Sequence, residues 1–414
     1  MTGVPPGRST RAGGARRLGG FALSTGLSSA VTLLAVPIII TGAGPFVWGV
    51  QAAIQSAAGL FGVIVAFGWG TTGAAEVAAM DPSSRAQWYA HSLVARTYLL
   101  LIAYPAMVAV MWALNPTLLP LVLVASAAYL VPSIGASWYF IGEARPDRLF
   151  RLDVLPQTLG VVASLPVMML TGDLTLTMVV QLVFNVVAVS FSARAILRGA
   201  AARVSFRPAA VVRQLATQRH AVITSATSSL YVATPLLVLN AVAPAALPVY
   251  AMGDKLFRFA LTAFAPILHF TQGWISERGS AERRERIRRV LLVIPVVSLT
   301  GGACVMVLGP WTAAVLSQAA IPFGLDLSAP FAVILFAVTL SQVLGLACLV
   351  QLGRTRDLAA STILGAAVGA PLLVVGAIVF GAPGVAWALA LSEVLVVLYQ
   401  GTIVLKALQA RPAS

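Results

Sequence analysis

The chain has 414 residues, of which 59% are hydrophobic and only 10% are charged, and its net charge is +14. A soluble domain averages about 25% charged residues because its whole surface faces water, and a disordered chain is poor in apolar residues. This composition excludes both classes and indicates a polytopic membrane protein. Long apolar runs, rather than short alternating segments, predict an all-α fold and exclude a membrane barrel.

Arginine carries most of the positive charge, and Lys255 and Lys406 are the only lysines. A basic excess is typical of the cytoplasmic loops of a membrane protein, and it also occurs in nucleic-acid-binding proteins. No basic patch interleaved with aromatic residues lies outside the apolar runs, so we expect no nucleic-acid partner.

Stretches of about 20 mostly apolar residues predict membrane-spanning helices. Twelve such stretches follow one another along the chain. They are 19–41, 46–70, 91–113, 117–141, 152–170, 174–196, 218–241, 247–271, 290–308, 328–352, 358–380 and 384–406. The stretch 309–327 is either an interfacial segment or an extension of a neighbouring span.

Lysine and arginine are distributed very unevenly between the gaps that separate these spans. Of the 27 basic residues, 24 lie in the two tails and the even-numbered gaps or at their borders, and none lies in an odd-numbered gap. The positive-inside rule therefore places both termini and every basic loop in the cytoplasm. The run 277–289 is predicted to form a short cytoplasmic helix against anionic headgroups. The outer gaps are short, which argues against an enzyme built around a large outer loop.

The two halves of the chain show a weak internal repeat. LSTGLSS at 23–29 aligns with ITSATSS at 223–229, and WGVQAAIQS at 48–56 lies opposite PVYAMGDKL at 248–256. Chance alignment of small-residue helices is the alternative. A six-span offset predicts two parallel six-helix lobes around a central cavity. The predicted organisation is a basic cytoplasmic tail at 1–18, an N-lobe at 19–196, a cytoplasmic linker at 197–217, a C-lobe at 218–406 and a cytoplasmic tail at 407–414.

Charged residues inside predicted spans are functional candidates, because a charge in hydrocarbon is costly unless it faces protein or water. Lys255 and Arg258 in span 8 are three residues apart and share a helix face. We expect them to line an aqueous cavity and to bind an anionic substrate. The alternative is a purely structural pair between Arg258 and Asp254, four residues earlier. The repeat places neutral Gln55 opposite Lys255, and we include Gln55 in the predicted binding set.

Two further charges lie within predicted spans. Arg96 lies near the cytoplasmic end of span 3, where it either binds substrate or snorkels to the interface. Glu393 lies in the middle of span 12, where it either balances Lys255 and Arg258, or takes a proton during transport, or is a buried structural acid. No nucleotide-binding loop is present, and the three histidines have no metal-ligand spacing, so we expect no enzyme activity, cofactor or metal.

Four segments resemble lipid-linked oligosaccharide flippases of the Wzx type, in the multidrug/oligosaccharidyl-lipid/polysaccharide (MOP) superfamily. They are PIIITGAGPFVWGVQAAIQS at 37–56, SWYFIGEARPDRL at 137–149, VYAMGDKLFRFA at 249–260 and GAPGVAWALALSEVLVVL at 381–398. The chain departs from the family pattern at Thr41, where an arginine is common, and at Ile141, which replaces a glutamine. The segments occur in the family's order along nearly the whole chain.

The resemblance implies an alternating-access flippase for polysaccharide biosynthesis in the bacterial cytoplasmic membrane. Its substrate would be an undecaprenyl-pyrophosphate-linked saccharide moved from the inner to the outer leaflet, and its partners membrane lipids and the polysaccharide polymerase machinery. A cation-coupled drug or metabolite exporter of the same superfamily is the main alternative, although span 1 has no acid and the cavity candidates are basic. Other twelve-span secondary transporters are a further alternative.

Overall fold

The computed structural model describes residues 26, 28–198, 215, 222, 229–276 and 280–409, and every regular element within these ranges is helical. The helices are α1 (Ser28–Ala43), α2 (Pro45–Ala66), α3 (Trp69–Ala79), α4 (Pro82–Leu114), α5 (Leu119–Leu130), α6 (Ser137–Gly142), α7 (Pro146–Leu149), α8 (Leu155–Thr171), α9 (Leu174–Leu197), α10 (Ser229–Val242), α11 (Leu247–Ser276), α12 (Ser280–Ser317), α13 (Leu325–Gln342) and α14 (Thr355–Gln409).

Within the described residues, each of the twelve predicted spans contains helix. Eight helical segments are long and apolar enough to cross a membrane, which makes this a multi-pass membrane protein. The last of the eight, α14, consists of two arms, because Gly381 interrupts it with φ 62° and ψ −135°. The two arms and the other seven segments account for nine of the twelve spans. The remaining three are the more polar α11 and the shorter apolar helices α1 and α10.

Helix ends coincide with residues that cap a helix or cannot continue one. Pro45 and Pro82 lie in the first turns of α2 and α4. A backbone N–H in the first turn has no intrahelical acceptor, so proline, which lacks this N–H, costs no hydrogen bond there. Asp173 accepts hydrogen bonds from the backbone N–H of Thr175 at 2.7 Å and so caps α9. Gly172 ends α8 in the left-handed conformation, with φ 63°.

Two predicted spans prove to be broken helices. Span 2 ends at Ala66, because Phe67 and Gly68 adopt positive φ angles of 40° and 86°, and α3 then starts a separate helix. Span 4 changes from α5 into a 3₁₀ turn at Val131–Ile134 and then becomes extended at Gly135, before α6. One π-helical stretch, Phe150–Val154, overlaps the start of predicted span 5, and another, Val343–Leu349, interrupts predicted span 10. Such π turns are frequent at functional sites.

The prediction of a separate short helix at 277–289 is wrong for the described part. Residues from Ser280 onward already belong to α12, which continues to Ser317. Ile287 and Val290 are buried in the hydrophobic cluster that α12 shares with α11 and α13, so this face packs on protein rather than resting only on headgroups. Within the stretch 309–327, residues 309–317 continue α12, residues 318–324 are not helical, and α13 begins at Leu325.

Contacts divide the chain into two compact units. The N-terminal unit comprises Met1–Val47 and Ile54–Ala233, and the C-terminal unit comprises Trp48–Ala53 and Thr234–Ser414. The predicted boundaries of the tails, the linker at 197–217 and the repeat segments 23–29 and 223–229 lie largely outside the described residues. The lobe boundaries therefore stay a prediction.

Each unit has its own apolar core within the described residues. An aromatic cluster holds the N-terminal unit together where α3, α4 and α6 meet, and it includes Trp69, Tyr89, Trp138, Tyr139 and Phe140. Adjacent rings within it pack at 5.5–6.4 Å between centroids. Aromatic pairs in this range stabilise by about 0.5–1.5 kcal/mol beyond their burial. This cluster is the local scaffold for the broken end of span 4.

The predicted topology can be measured with reporter fusions. Reporters placed after residues 205 and 280 should report the cytoplasm, and those after residues 172 and 243 the outside, because arginines surround only the first two sites. A reporter active only in the cytoplasm and one active only outside it would be compared at each site. A reversed result at any of the four would contradict the twelve-span topology.

Candidate functional site

The long helix α11 carries most of its polar residues along one face. At 100° per residue, these residues fall within roughly a third of the helix circumference. They are Asp254, Lys255, Arg258, Thr262, His269, Gln272 and Ser276. A polar stripe of this length on a helix between apolar neighbours indicates contact with water or a polar ligand, since lipid would leave these groups unsatisfied.

Arg258 and Asp254 form the pair that their spacing suggested. The Nε of Arg258 donates to Oδ2 of Asp254 at 2.6 Å, and the Arg258 side chain remains 44% exposed. The two terminal nitrogens of the Arg258 guanidinium have no acceptor among the described residues. The pair therefore orients Arg258 and still leaves the end of its guanidinium able to bind an anion.

Lys255 has no carboxylate within 4 Å of its ammonium group in the described part of the chain. The charges that act on it are those of its helix neighbours Asp254 and Arg258. The three side chains together carry a net positive charge. Gly253, directly before them, is buried against the ring of Phe331 on α13, where a Cβ would overlap that ring. This close approach holds the charged turn of α11 against α13.

Arg96 is buried within the N-terminal unit, with 1% of its surface exposed. Its Nη1 donates to the backbone carbonyl of Gly135 at 2.7 Å, and its Nη2 to the Oγ of Ser92 at 3.2 Å. Its guanidinium also lies over the rings of Trp138 and Tyr89, 5.3 and 5.9 Å from their centroids. Arg96 does not snorkel to an interface, because its donors are used inside the protein. The suggested role of Arg96 in substrate binding stays a prediction.

Gly135, which accepts from Arg96, also lies beside a buried acid. A Cβ on Gly135 would lie 3.4 Å from Oδ1 of Asp153 and only 2.8 Å from the carbonyl oxygen of Pro132. Asp153 is 6% exposed, belongs to the π-helical stretch Phe150–Val154 and accepts a hydrogen bond from Gln157 at 3.0 Å. A buried cation and a buried anion thus flank the break in span 4.

Gln55 lines a groove of about 330 Å³ within the N-terminal unit. One wall is a face of α2 that includes Gly59 and Gly62, and the other contains Tyr129 and Ser133 from the end of span 4. A Cβ on Gly62 would come within 2.7 Å of the Oγ of Ser133, so glycine lets the two walls meet there.

Glu393 lies half-buried on the second arm of α14, in the same unit as Lys255 and Arg258. The three roles suggested for it, in charge balance, proton transfer or structure, stay predictions. The structure brings Asp254, Lys255 and Arg258 together. It places Gln55 in the groove and puts Arg96 behind one wall of that groove, because Nη1 of Arg96 also lies 3.4 Å from the carbonyl oxygen of Ser133.

Sequence reasoning missed three residues of this region. Tyr129 and Ser133 are ordinary in an apolar span, and only the 3₁₀ turn, which follows Tyr129 and contains Ser133, makes them part of a groove wall. Asp153 was visible as an acid at the start of an apolar run, but nothing in the run indicated that it would be buried. In the described ranges, no cluster of three or more His, Cys, Asp or Glu could hold a metal ion.

No family model matches the chain, and no curated protein matches it. Solved structures do match. The lipid II flippase MurJ, in an inward closed conformation, is 13% identical with a TM-score of 0.67, over 94% of this chain and 88% of that one. A multidrug resistance MATE family transporter of the MOP superfamily, in an inward-facing conformation, is 15% identical with a TM-score of 0.59, over 93% and 95%.

A third match is a MOP superfamily transporter from Pyrococcus furiosus, which is 14% identical with a TM-score of 0.55, over 95% of this chain and 96% of that one. All three matches run over nearly the full length of both chains, so the likeness is not confined to one bundle of helices. At identities this low, the likeness establishes the fold. The chain has the twelve-helix fold of the MOP superfamily transporters.

Proposed function

We propose that this protein is a flippase that moves a polyprenyl-pyrophosphate-linked saccharide from the inner to the outer leaflet of the bacterial cytoplasmic membrane. The observation that carries the proposal is the net positive turn of α11, where Lys255 and Arg258 outnumber Asp254. A pyrophosphate that crosses the hydrocarbon region needs compensating charge, and attraction between charges is stronger there than in water.

The geometry of Arg258 supports a phosphate ligand in particular. Its Nε is held by Asp254, while the two terminal nitrogens remain available to two oxygens of one phosphate. One of the fold's members, MurJ, is a lipid II flippase, and this supports a lipid-linked substrate for the present chain. The Pyrococcus furiosus transporter is described as having a binding pocket of reverse polarity that suggests a different function.

The test is translocation in reconstituted vesicles. The purified protein would be placed in liposomes that contain undecaprenyl-pyrophosphate-linked N-acetylglucosamine, and outward exposure of the sugar would be followed with an impermeant sugar-modifying enzyme. We expect faster exposure than in protein-free liposomes, since the polar head group crosses unaided only at great cost. Equal rates with and without protein would contradict the proposal.

A cation-coupled exporter is a second candidate, and Asp153 is the observation that favours it. This carboxylate is buried in the N-terminal unit and has one hydrogen-bond donor, Gln157, in the described contacts. Buried acids of this kind mark cation pathways in transporters. Ethidium efflux driven by a Na⁺ or H⁺ gradient, abolished by Asp153→Asn, in vesicles that fail to move the lipid-linked sugar would establish the exporter instead.

A further inference from the structure

The groove beside Gln55 has no charged residue in its lining. An anion would find no cation there, and a cation would find no carboxylate, so neither a phosphate nor a cationic drug fits its chemistry. The polar side chains of the lining are those of Gln55, Tyr129 and Ser133, and an amide or a hydroxyl can both donate and accept hydrogen bonds. This lining favours an uncharged ligand that carries several hydroxyl or amide groups.

The shape of the groove agrees with that chemistry. Its volume of about 330 Å³ lies at the small end of the range for ligand pockets. A Cβ built on Gly59 meets no atom within 4 Å, so the backbone of α2 is open at this point and a flat ligand can approach it closely. The aromatic ring of Tyr129 on the opposite wall supplies an apolar surface for the C–H face of such a ligand.

One groove wall is held from behind by Arg96. Its Nη1 contacts the carbonyl oxygens of Ser133 and Gly135, and these two bonds define the turn that presents the Ser133 side chain. The guanidinium is buried among aromatic rings, so it positions the wall without meeting the ligand. A groove of preorganised, neutral polar groups is therefore built into the N-terminal unit.

We propose that this groove binds a neutral sugar unit of the transported lipid. The assignment rests on the proposed function, because the ligand is the saccharide of the lipid proposed as substrate. The groove lies within the N-terminal unit, and its lining is uncharged, as a neutral sugar is. The N-terminal groove then distinguishes a sugar-bearing carrier lipid from the bare one.

The experiment measures binding of two probes to the purified full-length protein. The probes are undecaprenyl pyrophosphate and undecaprenyl-pyrophosphate-linked N-acetylglucosamine. We expect the wild type to bind the sugar-bearing probe about tenfold more tightly, as expected for one or two well-formed hydrogen bonds. Gly59→Leu should fill the groove and remove this preference, with the affinity for the bare carrier unchanged. Gln55→Leu should weaken the preference severalfold.

Gly401→Leu is the matched control, because Gly401 is also helical and a Cβ there also meets nothing within 4 Å. It should keep the wild-type preference. A wild type without preference, or a Gly59→Leu variant that keeps it, would overturn the groove assignment alone, provided that the bare carrier still binds. A wild type that binds neither probe would overturn the proposed function and the groove assignment with it.

Discussion

Lys255→Ala is expected to slow translocation of the lipid-linked sugar by roughly ten- to a hundredfold, and Arg258→Ala to do the same. Each change removes one charged contact to phosphate, worth about 1.5–3 kcal/mol, and 1.4 kcal/mol corresponds to a factor of ten in affinity. The measurement is the rate of sugar exposure in vesicles that contain equal amounts of folded protein. Arg258→Lys should be only partly tolerated, because an ammonium group cannot bind two phosphate oxygens as a planar guanidinium does.

The ion pair complicates Arg258→Ala, because this change also leaves the Asp254 carboxylate without its partner. A free carboxylate repels phosphate, so the single variant measures two effects. The double change Asp254→Ala/Arg258→Ala removes both charges and isolates the lost phosphate contact. A stable and fully active double variant would mean that Arg258 serves only to pair with Asp254. Lys255→Gln leaves the pair intact and tests the second cation by itself.

Arg96→Ala is expected to destabilise the protein by about 2–5 kcal/mol, because it leaves buried carbonyl groups without donors. The carbonyls of Gly135 and Ser133 lose their partner, and the rings of Trp138 and Tyr89 lose a stacked cation. The measurement is the unfolding temperature of the purified protein in detergent. Arg96→Lys should recover only part of the loss, since an ammonium group cannot span Ser92 and Gly135 in the same plane.

Arg194→Ala on α9 is the matched control for this effect, because Arg194 is also a helical arginine in the N-terminal unit but is exposed. Its removal should leave the unfolding temperature nearly unchanged. An Arg96→Ala variant that is as stable as the wild type but no longer transports would show that Arg96 meets the substrate in another conformation. That outcome would support the substrate-binding role that the sequence predicts.

The α11 site shows what the sequence spacing of residues can predict by itself. Residues three and four apart share a helix face whatever surrounds the helix, so the proximity of Asp254, Lys255 and Arg258 followed from their numbers. Arg96 shows the limit of such reasoning. Its position near a span end is compatible with an outward or an inward side chain, and the choice depends on acceptors 37 and 39 residues away along the chain.

The sequence by itself determined the class of protein, the twelve apolar segments and the charged face of α11. These features depend on composition and on the period of a single helix, which hold before any tertiary contact forms. Only the tertiary structure decided that span 4 breaks at Gly135, that Arg96 turns inward and that Gln55 faces a groove with Tyr129 and Ser133. The breaks and the groove arise where two helices approach closely, and a close approach is a property of both partners that neither segment encodes alone.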